Sequence, residues 1–198
     1  MARLILASGS VTRARLLVAA GVPFDIVHAN IDEEEIRRSL LQSGCEPRLI
    51  TQALAEAKAL CVSGESSDDL VLAADQVLLL DSRIVNKSAS LADAELLLRR
   101  LRGNTHELIS GVAFAKSGSV ISRHVGIAKL RMRRFSDQFL AEYLRLEGDS
   151  VLESVGCYRL EGRGSQLFDR IEGDYFTILG LPLLPVLATL RAYGVLRT

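Results

Sequence analysis

Residues 3 to 7 (Arg-Leu-Ile-Leu-Ala) form a short apolar run that stops at Ser8-Gly9-Ser10, the pattern of a buried strand ending in a tight turn. Ser10 is a favourable N-cap for a helix over about 11 to 20, and Gly21 supplies its stop. A second strand is expected over 24 to 29, and the acidic Asp32-Glu33-Glu34-Glu35 favours the start of a short helix after it. Residues 47 to 61 predict a helix with Leu49, Ile50, Ala53, Leu54, Ala57 and Cys61 on its apolar stripe. The segment 64 to 69 is polar and reads as a loop. Val71 to Leu80 is then a nearly continuous apolar run, as expected of a strand covered on both faces.

Ser90 with Asp93 resembles a capping box opening a helix over 91 to 101, which Gly103 stops. Strands over 107 to 115 and 119 to 133 are joined at Lys116-Ser117-Gly118, a hairpin signal. In the second of them Ala128, Leu130 and Met132 alternate with Lys129, Arg131 and Arg133, so one face packs and the other is basic. Ser136 caps a helix to about Leu146. Glycines punctuate the last third before a proline-initiated helix over 182 to 193. The elements describe an α/β fold, a mixed sheet flanked by helices, with no repeat and no linker. Residues 1–198 are therefore expected to form a single domain.

Hydrophobic residues make up 48% of the chain and charged residues 24%, an ordinary globular balance. Acids and bases number 24 each, so no global field draws the chain to nucleic acid or an anionic membrane, and an anionic ligand needs local charge. Cys45, Cys61 and Cys157 are odd in number, widely spaced and without ligand spacing, so they read as reduced core or helix residues. The first apolar run is too short for a signal peptide, and the apolar stretch at 178 to 190 contains two prolines and falls short of a bilayer span. The expected location is the cytoplasm.

Two places carry candidate chemistry. The Ser8-Gly9-Ser10 junction presents helix N-terminal N–H groups suited to a phosphate oxygen, and Arg13 lies one turn further on. A plain capped helix with a surface arginine would look the same. Asp75 is the sharper signal, because a carboxylate inside Val-Leu-Ala-Ala-Asp-Gln-Val-Leu-Leu-Leu is costly unless paired, metal-bound or open to a cleft. Gln76 is polar in the same run and points to the opposite strand face, so both side chains need partners. Glu33, Lys58 and Lys87 are candidates to surround Asp75. Glu33 also fits a solvated helix start, Lys58 a snorkelling residue at the margin of its helix's stripe, and Lys87 an ordinary post-turn lysine. His28, His106 and His124 have no ligand spacing and read as structural, and no Walker, zincin or Ser/His/Asp motif is present. The set suggests a phosphorylated substrate with a divalent metal, without naming a reaction.

The same segments resemble the Maf family of nucleoside triphosphate pyrophosphatases. The likeness rests on Leu-Ile-Leu-Ala-Ser-Gly-Ser with Arg13, on Asp32-Glu33, on Ala-Leu-Ala-Glu-Ala-Lys-Ala around Lys58, and on Ala-Asp-Gln-Val at 74 to 77. It continues in Leu-Arg-Gly-Asn-Thr-His at 101 to 106 and in the block 171 to 183, so it spans nearly the whole chain. The resemblance implies an elongated mixed α/β fold with a central cleft, often a homodimer. It also implies a hydrolase that cleaves a nucleoside triphosphate to monophosphate and pyrophosphate with Mg²⁺ or Mn²⁺. Asp75 would be the proton acceptor; Ser8, Ser10, Arg13, Lys58 and Lys87 would serve the phosphates; and Glu33, with Asp75, the metal. An aspartate is a weak base near neutral pH, so Asp75 is expected to position water and metal at least as much as to take a proton. Three positions the family associates with base selection are Thr12, Gln76 and Glu161 here. The glutamine and glutamate are similar to the 7-methyl-GTP branch, but Thr12 replaces that branch's tryptophan, and Asn86-Lys87-Ser88 departs from the usual Gly-Lys-Pro. The expected function is nucleotide-pool housekeeping. Since Maf relatives have been linked to cell-division arrest, a non-catalytic nucleotide-binding regulator is the alternative, as is an enzyme specialised for 7-methyl-GTP.

Overall fold

The computed structural model describes residues 3–65 and 68–197. Ser66 and Ser67, within the loop expected at 64 to 69, lie outside the described residues. The first half runs β1 (Leu4–Leu6), α1 (Val11–Ala19), β2 (Asp25–Ile26), α2 (Glu33–Gln42), α3 (Pro47–Glu65), β3 (Leu70–Leu80) and β4 (Arg83–Val85). Then follow α4 (Leu91–Leu101), β5 (Thr105–Lys116), β6 (Ser119–Met132), α5 (Asp137–Glu147), β7 (Phe168–Glu172), α6 (Tyr175–Ile178) and α7 (Leu183–Ala192). Short 3-10 turns occupy Gly148–Glu153 and Arg163–Leu167. Among the described residues the strands form one sheet in the order β2-β1-β3-β5-β6-β7, with β4 paired to β3. β1 is parallel to β2 and β3, while β3–β4 and β6–β7 are antiparallel, so the sheet is mixed as expected.

Local chemistry sets the element ends. The side chains of Ser10, Asp32, Ser90 and Ser136 each accept a backbone N–H in the first turn of the helix that follows. At the β5–β6 hairpin Ser117 and Gly118 have φ of 49° and 71°, the left-handed pair of a two-residue turn. Asp81 and Ser82 repeat that geometry (φ 51° and 61°), which turns β3 back on the short β4 that the sequence pattern did not resolve.

The chain folds as two compact units, one of residues 1–76, 109–126 and 174–198, the other of 77–108 and 127–173. Three of the four boundaries fall inside β3, β5 and β6, and the fourth lies between β7 and α6.

In the first unit β3 alternates strictly. Leu70, Leu72 and Ala74 join Leu4, Leu6, Val112 and Phe114 in a core closed by Leu17 of α1 and by Leu183, Val186 and Leu190 of α7. Val71 and Ala73 face the other way, with Ile5, Ala113 and Ala115, onto Ala55, Ala59 and Val62 of α3. This second layer is built largely from alanines, and α3 lies close to the sheet: a Cβ on Gly111 would come within 2.9 Å of the Thr51 carbonyl oxygen. Of the stripe expected on α3, Ile50 and Leu54 are buried, and the rest is corrected. Leu49 is 56% exposed, whereas Thr51 and Lys58 are buried, because small and polar residues occupy the packed face.

In the second unit Leu97, Leu98 and Leu101 of α4 and Leu140, Tyr143 and Leu144 of α5 are buried, and α4 packs on α5 and on the turn at 148–153. Ala128, Leu130 and Met132 of β6 point inward. On its basic face Lys129 pairs with Glu107 at 3.2 Å and Arg131 with Asp169 at 2.7 Å, while Arg133 stands 4.4 Å from the Phe139 ring centroid. His106 is buried, 2.7 Å from the Tyr158 hydroxyl through Nε2, and desolvation lowers its pKa to about 4. It is a structural histidine, as the sequence suggested.

Candidate active site

The turn from β1 into α1 builds one wall in the first unit. Ser8 is buried, and its Oγ accepts from the Ser10 backbone N–H at 3.3 Å and from Arg13 Nη1 at 3.1 Å. With both lone pairs engaged, the Ser8 hydroxyl hydrogen is left to donate to a ligand. Ser10 Oγ accepts the Arg13 N–H, and the first intrahelical bond runs from Ala14 to the Ser10 carbonyl, which leaves the N–H groups of Val11 and Thr12 without an intrahelical acceptor. The Arg13 guanidinium turns back toward β3, where Nη1 donates to the Ala74 carbonyl at 2.8 Å and Nε to the Gly180 carbonyl at 2.9 Å. Burial lowers its pKa, and the charges of Asp75 and Glu33 oppose that shift.

Continuing the alternation of β3, Asp75 faces α3 and Gln76 faces the α7 side. Asp75 is only 6% exposed. Its Oδ1 accepts from Lys58 Nζ at 2.9 Å, and Lys58 Nζ also meets Glu33 Oε2 at 2.6 Å. Lys58 therefore does not snorkel at a helix margin: it is buried, with its ammonium held between two carboxylates. Glu33, the first residue of α2, is drawn into this cluster rather than serving only as a solvated helix start. Asp75 Oδ2 is buried and makes no hydrogen bond. Arg37 of α2 approaches it without closing, its Nη2 4.0 Å away. The sequence pattern did not single out Arg37, although its position four residues after Glu33 puts both on one helix face.

On the opposite face Gln76 Nε2 donates to Ser110 Oγ at 2.9 Å and to the carbonyls of Thr177 and Ile178, both at 3.1 Å. Ser110 Oγ itself donates to the Thr177 carbonyl at 2.8 Å, so toward Gln76 it can only accept. This network fixes the amide: its NH₂ group points inward, and Oε1 lies on the side of Gly180 and Arg13 Nη2. Gly180 has φ +89°, a conformation that favours glycine. Neither Ser110 nor the 177–180 carbonyls were readable as site residues, since their part is played by backbone oxygens and a hydroxyl inside an apolar strand.

The first unit thus brings together Ser8, Ser10, Arg13, Glu33, Lys58, Asp75 and Gln76, and Thr12 precedes Arg13 in the first turn of α1. Lys87, two residues after β4, and Glu161, ahead of the turn at 163–167, are exposed positions of the second unit. Among the described residues no group of three or more His, Cys, Asp and Glu is placed to hold a metal ion. A hard divalent cation such as Mg²⁺ does not need such a cage. It takes one or two carboxylates and completes its shell with phosphate oxygens and water, and Glu33 with the unpartnered Asp75 Oδ2 fits that donor set. No helix among the described residues is long and apolar enough to cross a membrane.

The chain is 45% identical over 192 residues to the 7-methyl-GTP pyrophosphatase of Rhizobium etli, covering 97% of this chain and 96% of that one. It is 49% identical over 191 residues to the nucleoside triphosphate pyrophosphatase of Caulobacter vibrioides, covering 96% of each. A HAM1 protein from Coxiella burnetii is a distant structural likeness, with a TM-score of 0.42 and 16% identity over 68% of this chain and 75% of that one. The family described as Maf-like protein matches residues 3–193, and the chain belongs to it.

Proposed function

We propose that this chain hydrolyses a nucleoside triphosphate to the monophosphate and pyrophosphate. The observation that carries the reading is Asp75, a buried carboxylate with one oxygen tied to Lys58 and the other without a partner, beside Glu33 and near Arg13 in charge. The names of the relatives support the same chemistry.

Water attacks the α-phosphorus, the bond from that phosphorus to the bridging oxygen of the β-phosphate breaks, and pyrophosphate leaves. Asp75 Oδ2 is free to orient the attacking water and to take its proton, since Oδ1 is held by Lys58. The Ser8 hydroxyl and the first N–H groups of α1 cradle phosphate oxygens, and Lys58 and Arg13 offset the charge that builds on the leaving group. Glu33 and Asp75 are the residues that would hold Mg²⁺ or Mn²⁺, which would supply further neutralisation of the phosphates. We extend the phosphate role to Lys87, and a base-reading role to Glu161, on the resemblance alone.

Within the first unit the base is read, in this proposal, by Gln76. Gln76 spends its NH₂ on the protein and keeps Oε1, an acceptor, so it suits a base with N–H donors. A guanine-type triphosphate offers two adjacent donors, N1–H and the 2-amino group, where uracil and thymine offer N3–H alone, while Thr12 provides no indole for stacking a methylated base. The balanced charge of the chain supports a free nucleotide of the cytoplasm as substrate rather than nucleic acid.

The test is pyrophosphate release over canonical and 7-methylated triphosphates with Mg²⁺, Mn²⁺ and chelator. Release that needs the metal and is lost in Asp75→Asn is expected. Nucleotide binding without release across the panel would leave a regulator in place of an enzyme. Equal turnover of all common triphosphates would remove the guanine preference.

A further inference from the structure

Glu33 and Arg37 lie one turn apart on α2 and both face the Asp75–Lys58 pair, but they differ in what they do there. Glu33 closes on Lys58 at 2.6 Å. Arg37 does not close on Asp75: Nη2 stands 4.0 Å from Oδ2, whereas a charge-assisted arginine–carboxylate bond draws in to about 2.7–2.9 Å. The gap is left open at a cost on both sides. Arg37 Nε and Asp75 Oδ2 are each buried and each lack a hydrogen-bond partner, and a buried polar atom in that state is destabilising. A pair kept for stability would have used these atoms on each other.

We propose that Arg37 is a substrate-binding residue, its guanidinium donating to an oxygen of the polyphosphate chain; this rests on the nucleoside triphosphate reading above. The other cations of the cluster are already committed. Arg13 is anchored to the Ala74 and Gly180 carbonyls and to Ser8, and Lys58 is held between Asp75 and Glu33. Arg37 has a donor without a partner, a side chain 24% exposed, and an anion-facing position on a helix whose next turn back supplies Glu33. Arg37, Arg13 and Lys58 set three cations against the two carboxylates, a surplus that favours a polyanion over a neutral ligand. An incoming phosphate oxygen satisfies the Arg37 donor and leaves Asp75 Oδ2 to water or metal, so the arginine need not close on the carboxylate.

The experiment compares wild type, Arg37→Ala and Arg37→Lys by calorimetric titration with an α,β-methylene nucleoside triphosphate analogue and with the matching monophosphate, alongside steady-state kinetics and melting curves. In Arg37→Ala the Kd for the triphosphate analogue and the KM for substrate rise about 10–100-fold, the range of one lost charged hydrogen bond. Monophosphate affinity changes less than triphosphate affinity, and the melting temperature holds. Arg37→Lys falls between, because a point charge keeps the attraction and loses the planar fork. Unchanged triphosphate affinity in Arg37→Ala, with or without a lower melting temperature, overturns the proposal while the pyrophosphatase reading stands on wild-type turnover. Wild type that binds the analogue but releases no pyrophosphate refutes that reading instead and leaves Arg37 to be judged on its Kd. Wild type that fails to bind the analogue refutes both.

Discussion

Lys58 and Asp75 are joined at 2.9 Å and both are buried, yet removing one should not cost what removing the other does. In Asp75→Asn the ammonium of Lys58 keeps Glu33 at 2.6 Å, and Glu33 is 45% exposed, so the remaining pair is partly solvated. The asparagine carbonyl can still accept from Lys58. That variant should lose about 1 kcal/mol or less, the ordinary net worth of a hydrogen bond. In Lys58→Met the Asp75 carboxylate loses the partner of Oδ1 while Oδ2 already has none, and an ion left unpaired in a buried pair costs about 3–5 kcal/mol. The lower end applies, because Arg37 can close part of its 4.0 Å gap to Oδ2. For a chain of this size each kcal/mol moves the melting temperature by about 2–4 °C. Lys58→Met should then melt roughly 6–12 °C below wild type, and Asp75→Asn no more than about 4 °C below it. Both should lose pyrophosphate release, so activity alone cannot separate them and calorimetric melting can. Equal destabilisation of the two variants, or a larger loss in Asp75→Asn, would refute the argument that Asp75 is the member of the pair that depends on the other.

Two further outcomes follow from other parts of the chain. His106, neutral in the folded protein with a pKa of about 4 against 6.5 in an exposed chain, makes the unfolded state bind the extra proton between those values, so stability is full above about pH 6.5 and falls as the pH drops toward 4. From pH 7.5 to 5, wild type should lose about 2 kcal/mol more than His106→Gln in urea unfolding; identical slopes would mean the imidazole is not desolvated as described. Ser110→Ala removes the acceptor that helps lock the Gln76 amide, and should lower the ratio of kcat/KM for guanine over uracil triphosphates several-fold with little change for the poorer substrate. An unchanged ratio would mean that Ser110 does not position Gln76 for base selection.

What could be read from the chain follows the range of the forces involved. Ser10, Asp32, Ser90 and Ser136 are legible as helix starts because the cap acts within three residues, and Ser117-Gly118 as a hairpin because the turn needs its own backbone angles. The packed face of α3 is legible at Ile50 and Leu54 but not beyond them, because close approach to the sheet also selects alanine, threonine and even lysine there, and leaves Leu49 outside. The site divides in the same way. Asp75 stands out locally, since a carboxylate among leucines and alanines is anomalous wherever the strand ends up. Its partners answer that anomaly from 17 positions away in Lys58 and from another helix in Glu33 and Arg37, and nothing within their own segments marks them as buried. Lys58 and Glu33 are candidates on the residues alone, each beside an ordinary surface explanation, and the resemblance to a known family gives them their roles. Arg37 had no motif, and only the open 4.0 Å approach to an unpartnered oxygen brings it into view. A cost is written in the sequence at the residue that bears it, whereas the groups that relieve it are set by the fold, so a buried carboxylate points to a site before anything shows what fills it.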